Sequence, residues 1–370
     1  MSDPGAALGT VLAGLPADLF DCFQVNLALL ADLRHGPGTH LRLGAVLDFR
    51  PRLDGGWWSV EPVQDAHLER SARLLGLQAG QRWSGCPADR VPELLGRREP
   101  LYVVADAYHL PWLPYAGHEH MPHSFLAGAH DGGVRVWDAY RNDTRYGPAV
   151  PGSWDLTEKE LVAALGDTAE VIGFTGTALP EPRPAVTLDD PAAFVDAYAD
   201  APDRPAAFAR LTLQTWLLAR SRRLHAAFRG LDRAVPDHLA AWQGLAQQTY
   251  VAWRMVQRGR PAPQAPLRRL GELLRRDRTV FATRAAAGEP WRLPVAEAAA
   301  SVLGLSVPAV LGGARFDTSA AYGSLRIVEI IEEIERSVGV ELSADDLVPE
   351  NLQDLAGLGR IVARAWAGHA

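Results

Sequence analysis

The stretch Phe20-Asp21-Cys22-Phe23-Gln24-Val25-Asn26-Leu27-Ala28-Leu29-Leu30 decides how the first half of this chain is read. Asp21 is a helix-capping residue type, and Gln24 stands three positions on, where a capping-box partner reaches back. Phe23, Leu27, Leu30 and Ala31 recur at helical spacing, and His35-Gly36-Pro37 supplies a stop signal. The spacing predicts a helix of about 14 residues with Cys22 in its first turn. The positive end of the helix dipole favours a thiolate there, and the thiolate is the nucleophilic form of cysteine. Taken alone, the same cysteine also suits a buried core thiol. Residues farther along separate the two readings.

The chain has 370 residues, of which 48% are hydrophobic and 22% charged, ordinary values for a globular protein of two or three domains. A net charge of −7 argues against nucleic acid as a main partner, because phosphate neutralisation needs a basic footprint. Cys22 and Cys86 are its only cysteines. Two cysteines provide neither a disulfide framework nor a zinc-ligand set, which suits a reducing cytoplasm. Met1-Ser2-Asp3-Pro4 lacks a basic leader, and no apolar run is long enough to span a bilayer. The expectation is a cytoplasmic protein with no membrane partner.

Composition marks three segments: a mixed, strand-bearing region over 1–180, an Arg-rich helical region over 181–288, and an acidic tail over 289–370. The first break falls in the Pro-rich bridge Leu179-Pro180-Glu181-Pro182-Arg183-Pro184 and the second near Gly288-Glu289-Pro290. In the first segment, residues 41–49 fit a strand or a short helix. Trp57-Trp58 reads as packing, and Gly85-Cys86-Pro87 reads as a turn. Leu101 to Ala107 is an apolar run of buried-strand type, followed by the proline loop Tyr108-His109-Leu110-Pro111-Trp112-Leu113-Pro114-Tyr115. His118, His120 and His123 cluster, yet no Cys or carboxylate completes a recognisable metal-ligand set around them.

His123 to His130 reads as a strand, Asp131-Gly132-Gly133 as hairpin-turn chemistry, and Val134 to Asp138 as the return strand. His123 and Asp138 then fall near the open end of the hairpin, on adjacent strands. A carboxylate on one imidazole nitrogen leaves the other to take a thiol proton. A Cys at a helix start, followed about a hundred residues later by His and then Asp, is the order a thiol nucleophile requires. The polar loop Ala139 to Pro148 beside them either meets an acceptor or simply turns the chain. Glu170 to Gly176 reads as a closing strand.

Residues 15–180 resemble the N-terminal domain family of butirosin biosynthesis protein H. The matching features are Asp21-Cys22-Phe23, the strand and proline loop over 101–115, His123 opening a strand, Gly128, and Val136-Trp137-Asp138. The resemblance implies a papain-like fold and an acyltransferase rather than a peptidase. Cys22 would be the nucleophile, His123 the general base and acid, and Asp138 the orienting group. The acyl group would come from a carrier-protein thioester and go to a small-molecule amine. A papain-type oxyanion Gln is not found before Cys22, where the chain reads Gly14-Leu15-Pro16-Ala17. The Cys22 N–H plus another group, with Gln24 or Asn26 as side-chain candidates, would take that role.

The middle segment has helical patterns over Leu211 to Phe228, Pro236 to Gln257 and Pro266 to Ala287, with Trp216, Trp242 and Trp253 on apolar faces. Its basic residues are all Arg, and Arg220, Arg222, Arg223, Arg268, Arg269, Arg275, Arg276 and Arg278 are expected to form exposed basic surface. The tail offers a matching acidic partner. It shows helical patterns over Val295 to Leu303, Ser324 to Val338, near Ala344 to Leu347, and Leu352 to Trp366. In the second, Leu325, Val328, Ile331 and Ile334 are read as the packed face. This segment resembles an acyl or peptidyl carrier domain. In that family the Ser at this position carries 4′-phosphopantetheine, which makes Ser324 the implied attachment point. The usual Asp-Ser-Leu reads Gly323-Ser324-Leu325 here, and Ala320 or Ala321 stands where a Gly is usual. A loaded carrier, a docking domain that is never loaded and an unrelated helical domain all stay open.

The expectation is an α+β protein: a papain-like transferase domain, a helical bundle, and a four-helix carrier-like domain acting in cis or alongside a separate carrier. The competing readings are a thiol peptidase or amidase on the same fold, and a non-catalytic scaffold that recruits carriers.

Overall fold

A computed structural model describes residues 4–96, 99–179, 181–231, 235–282 and 291–367. In chain order the first half holds helices α1 (Pro4–Gly14) and α2 (Cys22–His35), strands β1 (Val46–Phe49), β2 (Arg52–Asp54) and β3 (Trp57–Ser59), and helix α3 (Gln64–Leu75). Strand β4 (Leu77–Pro87), the short helix α4 (Val91–Leu94), and strands β5 (Leu101–Asp106), β6 (Pro122–His130), β7 (Gly133–Asp138), β8 (Asn142–Thr144), β9 (Gly147–Ala149) and β10 (Gly152–Leu156) come next. Helix α5 (Glu158–Leu165) and strands β11 (Thr168–Gly176) and β12 (Ala185–Leu188) lead into helices α6 (Ala192–Ala199), α7 (Arg204–Arg229), α8 (Pro236–Val256) and α9 (Ala265–Asp277). Further helices span Arg292–Leu303, Val307–Leu311, Ser324–Val338 and Leu355–Ala367. The chain is therefore mixed α and β. It divides into two units: Met1–His35 with Pro62–Pro182, and Gly36–Glu61 with Arg183–Ala370. Among the described residues no helix is long and apolar enough to cross a membrane.

The first unit is built on a six-stranded antiparallel sheet of order β10-β7-β6-β5-β11-β4. Strand β6 lies inside it and buries Phe125, Leu126 and Ala127. The β6–β7 hairpin has the expected turn, with Gly132 at φ +84 and Leu126 opposite Trp137. Helix α2 packs on β6 with Val25, Leu29 and Ala28 inside. Two features differ from the sequence reading. Residues 77–87 form an edge strand that was not foreseen, because Gln78, Gln81 and Arg82 break any apolar pattern and one rim needs none. Cys86 therefore ends a strand, opposite Ala169, rather than sitting in a turn.

In the second unit β1 pairs in parallel with β12, Val46 opposite Ala185. Residues 41–49 thus hold both candidates, a 3₁₀ turn over Thr39–Ala45 and then a strand. A first domain running unbroken over 1–180 is corrected accordingly, because residues 36–61 pack with the later helices. Gly44 shows how closely: a Cβ there would lie 2.4 Å from the carbonyl oxygen of Leu224. Phe49, Trp57 and Trp58 join Phe194, Tyr198, Phe208 and Trp242 in one core.

The basic face is also corrected. Arg220 and Arg222 are buried, whereas Arg268, Arg275, Arg276 and Arg278 are exposed. Arg222 is inside because Asp277, at the end of α9, accepts from its Nε at 2.9 Å and its Nη2 at 2.7 Å. The same carboxylate meets His238 Nε2 at 2.7 Å and the Trp242 indole N–H at 2.9 Å.

His225 on α7 donates from Nδ1 to the Gly44 carbonyl at 2.7 Å. Burial first, then the charges of Arg229 and Arg222, push its imidazole down to about 4. The unfolded chain titrates near 6.5, so between 6.5 and 4 the unfolded state binds the extra proton. Stability from this group is whole above pH 6.5 and is lost as pH falls through that window, by about 2 kcal/mol between pH 7 and pH 5. His67 in the first unit is displaced in the same direction, chiefly by burial. Urea unfolding at the two pH values should show the loss, and His225→Gln should flatten it.

Residues 291–362 have a core of their own, with Trp291, Val295, Phe316, Ile330, Ile334, Leu358 and Ile361 inside. The expected boundary at Gly288-Glu289-Pro290 lies outside the described residues, as does Pro180 of the Pro-rich bridge. The packed face of Ser324–Val338 is Ile327, Ile330, Ile331, Ile334 and Val338, so Ile331 and Ile334 of the expected face pack inside while Leu325 and Val328 do not. The i, i+3, i+4 phase that starts at Ile327 turns Leu325 and Val328 outward, where they are 73% and 49% exposed.

Candidate active site

The N-terminus of α2 is built as its sequence predicts. Asp21 Oδ1 accepts the N–H groups of Phe23 (2.9 Å) and Gln24 (2.8 Å), and Gln24 Oε1 accepts the Asp21 N–H at 3.4 Å. This capping box fixes Cys22 as the first helical residue, half-exposed and not in a disulfide. Its sulfur lies 4.0 Å from the carbonyl oxygen of Pro122, and its carbonyl accepts from Ser124 Oγ at 2.5 Å. Cys22 thus contacts the residues on both sides of His123.

His123 is fully buried. Its Nε2 meets Asp138 Oδ2 at 2.8 Å, and among the described residues its Nδ1 has no hydrogen-bond partner. The carboxylate places the ring proton on Nε2, so Nδ1 carries the lone pair. Asp138 Oδ2 also accepts the Trp112 indole N–H at 3.1 Å. Its Oδ1 accepts the Tyr140 N–H at 2.9 Å and Asn26 Nδ2 at 3.3 Å. Burial alone would push this carboxyl up. The charge and hydrogen bond of His123, with those of Tyr140 and Asn26, outweigh it and hold Asp138 below the usual carboxylate range.

Asn26, buried one turn after Cys22, is the residue the sequence undervalued. Its Nδ2 donates to the Ser124 carbonyl at 2.8 Å as well as to Asp138, and its Oδ1 accepts the Ala139 N–H at 3.0 Å. One amide therefore fastens the Cys22 helix to the strand of His123 and to the end of the strand of Asp138. As a side-chain oxyanion donor Asn26 is corrected, because its Nδ2 is committed to the Ser124 carbonyl and Asp138, whereas the capping box engages only the Oε1 of Gln24.

Tyr140 stands edge-on to the His123 ring at 5.1 Å. Burial pushes the Tyr115 phenol up, opposed by hydrogen bonds to Tyr140 and Asn142 and aided by the charge of Cys22. The loop over 139–148 is a small hairpin of β8 and β9, with Asn142 Nδ2 donating to the Tyr115 hydroxyl at 3.4 Å. The three clustered histidines diverge. His118 stacks on Tyr146, His120 pairs with Asp106 at 2.6 Å, and His123 goes to Asp138. Among the described residues no three His, Cys, Asp or Glu side chains form a metal-binding group. A groove of about 440 Å³ opens at the end of the sheet, lined by Val104, Asp106, His120, Pro122 and Glu170 among others. It shares Pro122 with the surroundings of the sulfur.

Ser324, in the other unit, is the first residue of its helix and is exposed. Gly323 before it is extended at φ −177, and a Cβ there meets nothing within 4 Å. An Asp at that position would fit without a clash.

Compared with protein-family models and with curated proteins, the chain matches none.

Proposed function

We propose that this chain is a cysteine-dependent acyltransferase with a papain-like catalytic unit. It would move an acyl or aminoacyl group from a carrier-protein thioester, through Cys22, to an amine or hydroxyl of a small-molecule acceptor in cytoplasmic natural-product biosynthesis. One observation carries the reading. Half-exposed Cys22 at a helix start contacts both neighbours of His123, Pro122 through its sulfur and Ser124 through its backbone carbonyl, and His123 is a buried imidazole with one nitrogen on Asp138 and the other unengaged.

His123 Nδ1 takes the Cys22 proton, the resulting thiolate attacks the thioester carbonyl carbon, and the carbon–sulfur bond to the donor breaks. The donor thiol leaves with a proton from His123 Nδ1. The acceptor amine then attacks the Cys22 thioester and gives its proton to the same nitrogen, while the Cys22 sulfur departs as thiolate. Asp138 holds the Nε2 proton throughout and stabilises the imidazolium. A thioester is more activated than the amide formed, so the transfer needs no ATP.

The exposed Ser324 hydroxyl and the open space beside Gly323 fit the attachment of 4′-phosphopantetheine. Bound there, the group supplies a thiol on a flexible arm. The exposed Leu325 and Val328 next to it offer apolar contact to whatever the arm visits. A peptidase would use the same triad but gives this separately cored segment no task.

Mass spectrometry tests the proposal. Incubation with an acyl N-acetylcysteamine thioester is expected to add the acyl mass to the Cys22 peptide. With coenzyme A and a promiscuous phosphopantetheinyl transferase, the arm's mass should appear on the Ser324 peptide. No Cys22 adduct, together with unchanged turnover in Cys22→Ala, would sink the acyl-enzyme route.

A further inference from the structure

We propose that Trp112 is a positioning residue for the Asp138–His123 pair, and that Asp106 sets it by closing the neck of the loop that carries it. This rests on reading Cys22 and His123 as a working pair. The Trp112 indole N–H donates at 3.1 Å to Asp138 Oδ2, the oxygen that also meets His123 Nε2 at 2.8 Å. Its ring has little freedom, lying stacked on Trp154 at 5.5 Å and edge-on to Phe125 at 5.2 Å. Each Asp138 oxygen thus has two donors, Trp112 and His123 on one, Asn26 and Tyr140 on the other. Rotation of the carboxylate away from His123 breaks bonds on both sides.

Trp112 reaches this position from a loop with two prolines and little regular structure, between β5 and β6. Asp106 closes it. Its Oδ1 accepts the N–H of Tyr108 and of Met121, each at 3.1 Å, and its Oδ2 meets His120 Nδ1 at 2.6 Å. His120 in turn stacks on Tyr108 at 4.1 Å. Two backbone bonds support the neck, Ala107 N–H to Met121 and Gly117 N–H to Tyr108, both 2.8 Å. Asp106, His120 and Pro122 all line the groove, and the Pro122 carbonyl oxygen is the one 4.0 Å from the sulfur. The loop also brings Tyr115 toward the field of Cys22. A polar clasp at the rim therefore fixes an indole that fixes the carboxylate.

The test is the pH dependence of Cys22 alkylation by iodoacetamide, read peptide by peptide so that Cys86 is separate, and it needs no acyl substrate. The ionisable groups around the pair are Asp21 capping α2, Cys22 at its start, Tyr102 on β5, Tyr115 in the loop and Tyr140 after β7. The wild-type profile should have two limbs, pair formation at low pH and imidazolium deprotonation at higher pH. Trp112→Phe keeps the ring and removes the N–H, and with Asp138 held less firmly the upper limb should shift by about half to one pH unit. Asp106→Ala keeps the indole N–H but opens the neck of the loop that carries it, and should move that limb the same way, by less. It also serves as the test should Trp112→Phe not fold. A structural role alone would lower the melting temperature and leave both limbs where they were. Two wild-type limbs with the upper one unmoved in both variants overturn the proposal. A single wild-type limb at the position of an ordinary thiol overturns the pairing of Cys22 with His123, and the proposal with it.

Discussion

Asp138→Asn is expected to slow acylation of Cys22 by on the order of 10³-fold, although the side chain keeps its size. The four groups around Asp138 are all donors: His123 Nε2–H, the Trp112 indole, the Tyr140 N–H and Asn26 Nδ2. A carboxylate accepts on both oxygens, whereas an amide presents one acceptor and one donor. If the amide oxygen faces His123, the new NH₂ points at Tyr140 and Asn26, and Asn26 cannot flip without abandoning the Ala139 N–H. If the NH₂ faces His123 instead, the ring must accept at Nε2 and carry its proton on Nδ1, where it can no longer take one from the thiol. Either arrangement leaves buried donors facing each other, at a cost of about 1–3 kcal/mol each. Single-turnover acylation with a small acyl thioester measures the rate, with melting as the check on folding. A loss under tenfold would show that Asp138 is not what orients His123.

Much of this geometry was legible where local pattern and local chemistry agree. The capping box at Asp21 and Gln24, the length of α2, and the β6–β7 hairpin follow from residues within a few positions of one another, and all three form as expected. The pairing of His123 with Asp138 follows from the hairpin turn, which sets the register between them. Features that depend on distant partners were not legible. Nothing in residues 36–61 announces that β1 pairs with β12, some 140 positions away. Arg222 looked like surface because an Arg-rich helix normally is, and only Asp277, 55 positions on, makes its burial tolerable. Asn26 did carry a signal. A polar residue one turn after Cys22, inside the apolar run Val25 to Leu30, has to be buried, and a buried amide needs partners. Trp112 carried none, since an aromatic side chain between prolines reads as packing whether or not its N–H has a task.

The largest stability effect should come from that same distant partner. Asp277→Ala is expected to destabilise the second unit by about 3–5 kcal/mol, because it strands a buried guanidinium along with two other donors. Arg222 and Asp277 are each 0% exposed, so no water can take over. The aspartate accepts two bonds from Arg222, one from the Trp242 indole, and pairs with His238, joining α7, α8 and α9 at one point. The guanidinium also lies over the Trp242 ring at 4.9 Å, a contact that loses its geometry once the carboxylate no longer aims it. Removing only one partner is the damaging change, since attraction in the interior serves mainly to offset the cost of taking both charges out of water. The double variant Arg222→Met with Asp277→Leu should therefore recover most of the loss, leaving His238 and the Trp242 N–H as the remaining unsatisfied groups. Urea unfolding followed by tryptophan fluorescence reads both, with the buried Trp242 as the local probe. A single-variant loss below about 1 kcal/mol would mean that Arg222 finds another anion or reaches solvent. A double variant no better than Asp277→Ala would mean instead that His238 and Trp242, rather than the ion pair, carry the energy of this junction.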